Sequence, residues 1–211
     1  MVIKIHGLKG STCTQRVCTV LYEKNIPFEF IDVDFAIGEH KSEKYMRLHP
    51  FGKVPVLDDD GFILFESRAI AKYIAAKYAD QGTPLLPAAG DLKTIGLYEQ
   101  ACSMEQSYFD PPTFGLSFEK LWKSWQGKGG PDDALVAKYA AELDTTLAVY
   151  EKILGKRKYL SGDDLTLADL FHVPYGVMVR GLGYQSTFDK YPHVAKWFDG
   201  LLARESWKQV T

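Results

Sequence analysis

Cysteine is scarce in this chain. Cys13, Cys18 and Cys102 are an odd three in 211 residues. They show none of the even, closely spaced pattern of a disulfide framework, so a reducing, cytoplasmic setting is expected. A basic excess is also missing. Residues 1–80 hold 11 basic and 11 acidic side chains, the remainder 14 and 16, for a net charge of −2. Neither part has the cationic surplus that nucleic-acid backbones or anionic membranes require. Long apolar stretches are absent too. The longest runs without Asp, Glu, Lys or Arg are ten residues, Gln81 to Gly90 and Leu170 to Val179, and both contain proline and glycine. A bilayer span needs about 20 apolar residues. Met-Val-Ile-Lys-Ile-His at the start has no signal-peptide profile. There is no Gly-Lys-Ser/Thr phosphate loop and no Gly-x-Ser-x-Gly elbow, and no internal repeat stands out.

What is present is ordinary globular composition, 46% apolar, 13% aromatic and 25% charged. A chain this long buries about 70% of its extended surface on folding, enough for a core without staples. Residues 1–79 alternate strand and helix signals. Val2 to His6 is a short strand ended by Gly7, and Thr14 to Lys24 has helical apolar spacing. Phe28 to Val33 is rich in β-formers, and a short helical stretch ends near Pro50. Val54 to Leu57 and Phe62 to Phe65 flank Asp58-Asp59-Asp60-Gly61, a hairpin signal because Asp-Gly tolerates positive φ. Ser67 is placed to cap a helix carrying Ile70, Tyr73 and Ile74. The order βαβ-α-ββα implies an α+β domain with a mixed sheet.

Residues 80–90, rich in proline and glycine, read as a linker. Residues 91–211 contain no convincing strand and read as an all-α domain. Asp91 to about Gln106 is helical. Val136, Tyr139, Leu143, Leu147, Tyr150 and Leu154 step by 3, 4, 4, 3 and 4 along one helix face. Thr166-x-x-Asp169 is a capping box with Asp in place of Glu, opening a helix that runs towards Arg180. Pro192 to Leu202 forms a last helix.

Three groups of residues invite chemistry. The turn from Gly7 to Thr14 follows a strand and opens a helix, where free amides favour an anion. Two readings of Ser11 and Thr12 stand, a plain helix cap or a hydroxyl donor to a bound thiolate. Cys13 at the same helix start would gain thiolate character, or is a small packing residue. Cys13 and Cys18 cannot share a metal, because five helical residues turn their side chains about 140° apart; Cys18 is expected in the core. The second group spans three loops. Gly38-Glu39-His40-Lys41 and Phe51-Gly52-Lys53-Val54-Pro55 supply positive groups, and Glu66-Ser67 supplies a carboxylate, a hydroxyl and a helix N-terminus. The third is Phe114, Phe118 and Trp122, whose spacing of four marks one helix face, for core packing or for an apolar ligand.

With these motifs in view, the chain resembles the soluble glutathione transferases over nearly its whole length. The resemblance lies in the Ser11 turn with Thr14-Gln15-Arg16-Val17, in Gly38-Glu39-His40-Lys41, and in His49-Pro-Phe-Gly-Lys-Val-Pro55. Leu64-Phe-Glu-Ser-Arg-Ala-Ile70 and Leu165-Thr-Leu-Ala-Asp169 complete it. The serine turn with Gly-Glu-His-Lys is most similar to the phi class. The resemblance implies a thioredoxin-like domain over 1–79, a linker over 80–90 and a helical domain over 91–211.

It also implies roles. Ser11 would donate to the glutathione sulfur. His40, Lys41 and Lys53 would hold the glycine carboxylate, Lys53 standing where phi members usually carry glutamine. Val54, before a cis Pro55, would pair its backbone with the cysteinyl segment. Glu66 would face the γ-glutamyl ammonium, and Ser67 would take its carboxylate. Thr12, Phe35, Phe114, Phe118, Trp122, Tyr175 and Met178 would line the apolar substrate's pocket. Glutathione enters as co-substrate, with no metal or resident cofactor. The activity implied is conjugation of small apolar electrophiles, with hydroperoxide reduction as an accompanying one, by a cytoplasmic detoxification homodimer with Phe51 at its interface. Neither nucleic acid nor membrane is an expected partner. The alternatives are a Cys13-dependent thiol transferase or dehydroascorbate reductase, and a non-catalytic ligand-binding module.

Overall fold

The computed structural model describes Val2–Val210. The outermost residues of the two expected domains, Met1 and Thr211, lie outside it. In β1 (Ile3–Gly7), Ile3 and Ile5 are buried and Lys4 is exposed, the alternation a half-buried strand requires. α1 (Thr12–Glu23) follows, then β2 (Phe28–Asp32), a single 3₁₀ turn over Glu39–Lys41 and α2 (Glu43–Met46). β3 (Val56–Asp59), β4 (Phe62–Phe65) and α3 (Ser67–Lys77) complete the motif. The sheet order is β2-β1-β3-β4, with β1 parallel to β2 and antiparallel to β3, and β3 antiparallel to β4. Asp60 and Gly61 turn the β3–β4 hairpin at φ 57° and 87°, and Asp58 Oδ1 accepts the Gly61 N–H at 2.8 Å. α1 packs on α3 through Val17, Val20, Leu21, Ile70 and Ile74, all fully buried. This is the expected mixed-sheet, thioredoxin-like unit.

The compact unit runs to Leu86 and takes in the segment from Arg204 to Val210. A buried carboxylate is the reason. Glu23, at the end of α1, accepts from Thr83 Oγ1 at 2.6 Å, Ser206 Oγ at 2.5 Å and Arg204 Nη2 at 2.8 Å, with Arg204 Nε as a further donor. Lys24 Nζ reaches the Thr83 carbonyl at 2.9 Å. One acidic side chain therefore ties the start of the linker and the final helix α12 (Glu205–Lys208) to α1. Burial opposes its charge, but the hydrogen bonds from Arg204, Ser206 and Thr83 outweigh burial and hold the carboxyl below the ordinary glutamate range. A depressed carboxyl stabilises the fold at neutral pH and loses that contribution as pH falls below the ordinary value of about 4.3 and through its own lower one. Glu23→Gln is expected to lower the melting temperature at pH 7, with the gap to the parent narrowing towards pH 3 in a series of thermal melts.

The helical unit spans Pro87–Ala203. It contains α4 (Leu92–Met104), α5 (Asp110–Ser117), α6 (Lys123–Trp125), α7 (Asp133–Leu154), α8 (Leu167–Leu170), α9 (Val173–Val179), α10 (Gln185–Asp189) and α11 (Pro192–Leu202). Wide π turns over Glu105–Phe109 and Phe118–Trp122 join α4 to α5 and α5 to α6. Pro112 has no N–H for the Tyr108 carbonyl four residues back. That carbonyl instead accepts from Thr146 Oγ1 of α7 at 3.0 Å. α7 buries Leu143, Leu147, Tyr150 and Leu154 as its spacing predicts. A Cβ on Gly115 would lie 2.5 Å from the Tyr139 ring, so α5 and α7 meet at a distance only glycine allows.

The capping box at Thr166 and Asp169 is present. The helix it opens is not the continuous one expected towards Arg180. It breaks after Leu170 and restarts at Val173, because Pro174 cannot donate to Leu170 and its ring crowds that carbonyl. His172, at the break, donates from Nδ1 to the Ala168 carbonyl at 2.8 Å and so accepts the Tyr150 hydroxyl at Nε2, 3.0 Å away. Among the described residues no strand follows β4, and no helix is long and apolar enough to cross a membrane.

Candidate active site

The site is built on the loops of the first unit. After β1 the chain turns through Leu8-Lys9-Gly10, and Ser11 caps α1, its Oγ accepting the Thr14 N–H at 3.4 Å. This bond uses a lone pair and leaves the hydroxyl proton free to donate. Cap and thiolate donor, the two readings of this residue, are therefore compatible. Cys13 is half-buried in the first turn of α1, and Cys18 is in the core, where burial pushes its thiol up to about 12. None of the three cysteines is in a disulfide.

The two positive loops come together. Gly52 has φ 58°, and a Cβ there would sit 2.6 Å from the His40 carbonyl oxygen, so both conformation and space demand glycine. Lys41 Nζ donates to the Phe51 carbonyl at 2.9 Å, and the buried Tyr45 hydroxyl fixes the Lys53 carbonyl at 2.8 Å. The Val54–Pro55 peptide is cis. His40 stacks on Phe35 with ring centroids 3.9 Å apart. Burial, helped by the neighbouring Lys41 charge, holds the imidazole below its ordinary value. It is neutral at pH 7, so the positive charge of this rim rests on Lys41 and Lys53 rather than on all three groups. Phe35, expected among the residues lining the apolar pocket, spends one face on His40, and Thr12 is buried.

Glu66 holds φ 73°, an unfavourable conformation for a side chain this size, at the N-cap of α3. Its side chain does not cap the helix, so the first amides of α3 stay available to an anion. Ser67 is buried, and its Oγ accepts from Arg16 Nη1 at 2.9 Å. The same Nη1 lies 3.7 Å from Cys13 Sγ.

Two residues near these groups carried no role in the sequence reading. Arg16 is 1% exposed, a buried guanidinium beneath Ser67. His49 is buried with its ring against Phe65 at 4.6 Å, within electrostatic reach of Glu66, Lys53 and Lys41. Burial keeps its imidazole below the ordinary value. Both lie inside recognised motifs, but only the fold shows which neighbours they meet.

In the helical unit Phe114, Phe118, Trp122 and Tyr175 form one cluster. Phe114 is 5.6 Å from Trp122 and 6.4 Å from both Phe118 and Tyr175. Phe114 remains 47% exposed, an open aromatic face. Met178 is half-buried on α9. Among the described residues no group of His, Cys, Asp and Glu has the makings of a metal site.

A thioredoxin-like unit with an anion-binding rim, followed by an all-helical unit, has the two-part build of enzymes that handle glutathione. Residues 1–76 match the profile of the glutathione S-transferase N-terminal domain, and residues 111–205 match that of the C-terminal domain. The chain belongs to the glutathione S-transferase family, and within it to the phi type. It is 49% identical to glutathione S-transferase hmp2 of Hypomyces subiculosus, over 100% of this chain and 98% of that protein. Glutathione transferase F7 from Populus trichocarpa superposes with a TM-score of 0.94 at 35% identity, over 99% of this chain and 97% of that one. Glutathione S-transferase I from maize, solved with an atrazine–glutathione conjugate, gives a TM-score of 0.91 at 36% identity, over 100% of this chain and 96% of that one.

Proposed function

We propose that this enzyme conjugates the glutathione thiolate to small apolar electrophiles, with Ser11 as the thiolate donor. The observation that carries the reading is the hydroxyl proton of Ser11, left over by its cap at the N-terminus of α1, in the same unit as the Lys41 loop and the Ser67 helix start. Lys41 and Lys53, with neutral His40 as a hydrogen-bond donor, take the glycine carboxylate. Val54 pairs its backbone with the cysteinyl segment in the manner of an added strand. Glu66 meets the γ-glutamyl ammonium, and Ser67 with the α3 N-terminus takes the γ-glutamyl carboxylate.

A thiol of pKa about 8.5 is only about 3% ionised at pH 7. Lowering it by ~2 units requires ~2.7 kcal/mol of preferential thiolate stabilisation. A hydrogen bond to a charged acceptor gives ~1.5–3 kcal/mol, and the helix N-terminus adds ~0.3–1. Those two terms suffice without a general base. The partly exposed aromatic cluster around Phe114, with Met178, receives the apolar substrate. The enzyme acts as a cytoplasmic detoxification homodimer, with the 65% exposed Phe51 ring as an interface anchor.

The test is glutathione binding by titration calorimetry, alongside conjugation to a chloronitroarene by the parent and Cys13→Ser. Binding, with a conjugation rate in Cys13→Ser within about two-fold of the parent, is the expected result, since Cys13 Sγ faces Arg16. Absence of glutathione binding, or conjugation lost in Cys13→Ser alone, sinks the reading.

A further inference from the structure

We infer that Arg16 is a positioning residue for the γ-glutamyl end of glutathione, acting through Ser67, an inference that rests on the glutathione reading above. Arg16 is 1% exposed, yet its Nη1 reaches Ser67 Oγ, 51 residues away in sequence, at 2.9 Å. A guanidinium has five donors and no acceptor. Ser67 must therefore accept from Arg16, which turns its own O–H away from the guanidinium. A carboxylate only accepts. Ser67 thus meets the γ-glutamyl carboxylate with its proton already directed outward, and no rotor has to be frozen on binding.

Without Arg16 the unliganded hydroxyl samples all its rotamers, and that freedom is lost on binding the anion. The buried positive charge adds to the amides at the start of α3, in surroundings that screen it poorly. Nη1 also lies 3.7 Å from Cys13 Sγ, and lysine is no equivalent, because a compact ammonium on a shorter stem does not reproduce the position and fixed direction of that guanidinium N–H. Cys13 is thereby tied to the group of residues that would hold the γ-glutamyl end.

The experiment is calorimetric titration of the parent, Arg16→Gln, Ser67→Ala and the double variant with two probes, glutathione and cysteinylglycine, which lacks the γ-glutamyl group. Steady-state kinetics and thermal melts accompany it. Arg16→Gln is expected to weaken glutathione binding about ten-fold, the worth of one charge-assisted hydrogen bond. It should raise the glutathione KM while leaving kcat at saturation nearly unchanged, and leave cysteinylglycine affinity unaltered. In the Ser67→Ala background the same change is expected to add less than about two-fold, because the two side chains act as one unit. Equal losses for both probes, or additive losses in the double variant, overturn the inference and make Arg16 a merely structural residue. Should Arg16→Gln melt below the assay temperature, Arg16→Lys carries the same comparison, with a partial loss confined to glutathione expected. A parent that binds no glutathione overturns the functional reading and this inference together; a parent that binds it as tightly as Arg16→Gln overturns this inference alone.

Discussion

Replacing Ser11 by alanine is expected to lower conjugation turnover at pH 7 roughly 10- to 100-fold, the worth of a hydrogen bond to a charged acceptor. Glutathione affinity should hardly change, because the residues proposed to hold the tripeptide's charges, Lys41, Lys53, Glu66 and Ser67, all lie outside the Ser11 turn. The loss acts on thiol ionisation, so the acid limb of the pH–rate profile should move up by about 1–2 units. Near pH 9, where free glutathione ionises unaided, parent and variant should converge. A constant deficit at every pH would show that Ser11 positions the sulfur rather than stabilising its anion. Ser11→Thr separates the two further, since it keeps the hydroxyl and the cap. The cap itself, the Ser11 Oγ bond to Thr14 N–H, costs about 1 kcal/mol when lost. Melts of Ser11→Ala should therefore show only a small shift beside the large kinetic one.

The largest expected effect on stability lies in the helical unit, at Asp169. Its carboxylate is fully buried and accepts from Leu160 N and Thr166 N at 3.0 Å each, Thr166 Oγ1 at 3.1 Å and Trp197 Nε1 at 3.0 Å. Asp169→Ala strands these donors in the core, at a cost of roughly 3 kcal/mol or more. For a chain of this size that is a fall of roughly 6–12 °C in melting temperature. Asp169→Asn should recover part of it, because one amide oxygen remains an acceptor while the NH₂ group turns a donor towards a donor. A melting temperature within 2 °C of the parent for Asp169→Ala, by calorimetry, would mean that the carboxylate does not organise the 160–169 turn.

Much of the architecture follows from neighbours in sequence. The Asp60-Gly61 turn, the β1 alternation, the α7 stripe and the Thr166–Asp169 box each depend on a few adjacent residues whose backbone preferences or spacing allow little else. The site loops were legible for a related reason. A strand followed by a small turn and a helix, or Pro-Phe-Gly-Lys-Val-Pro before a strand, carries its geometry in local conformation. The break at His172 was also written locally, in Pro174, but the apolar periodicity running across it points the other way.

What no local pattern contained was the identity of distant partners. Glu23 sits in an ordinary amphipathic helix, and nothing near it in sequence announces Arg204, 181 residues away. That pairing ties the last helix to α1. The stacking of His40 on Phe35, and the burial of Arg16 under Ser67 as α1 packs on α3, are likewise absent from any local pattern. The sequence by itself determined most of the elements, their order and the loops that carry the candidate site, because those rest on short-range sterics and periodicity. The tertiary structure alone decided which charges are buried and which groups they meet, because a buried guanidinium or carboxylate is tolerated only where a donor or acceptor from a remote segment arrives to satisfy it.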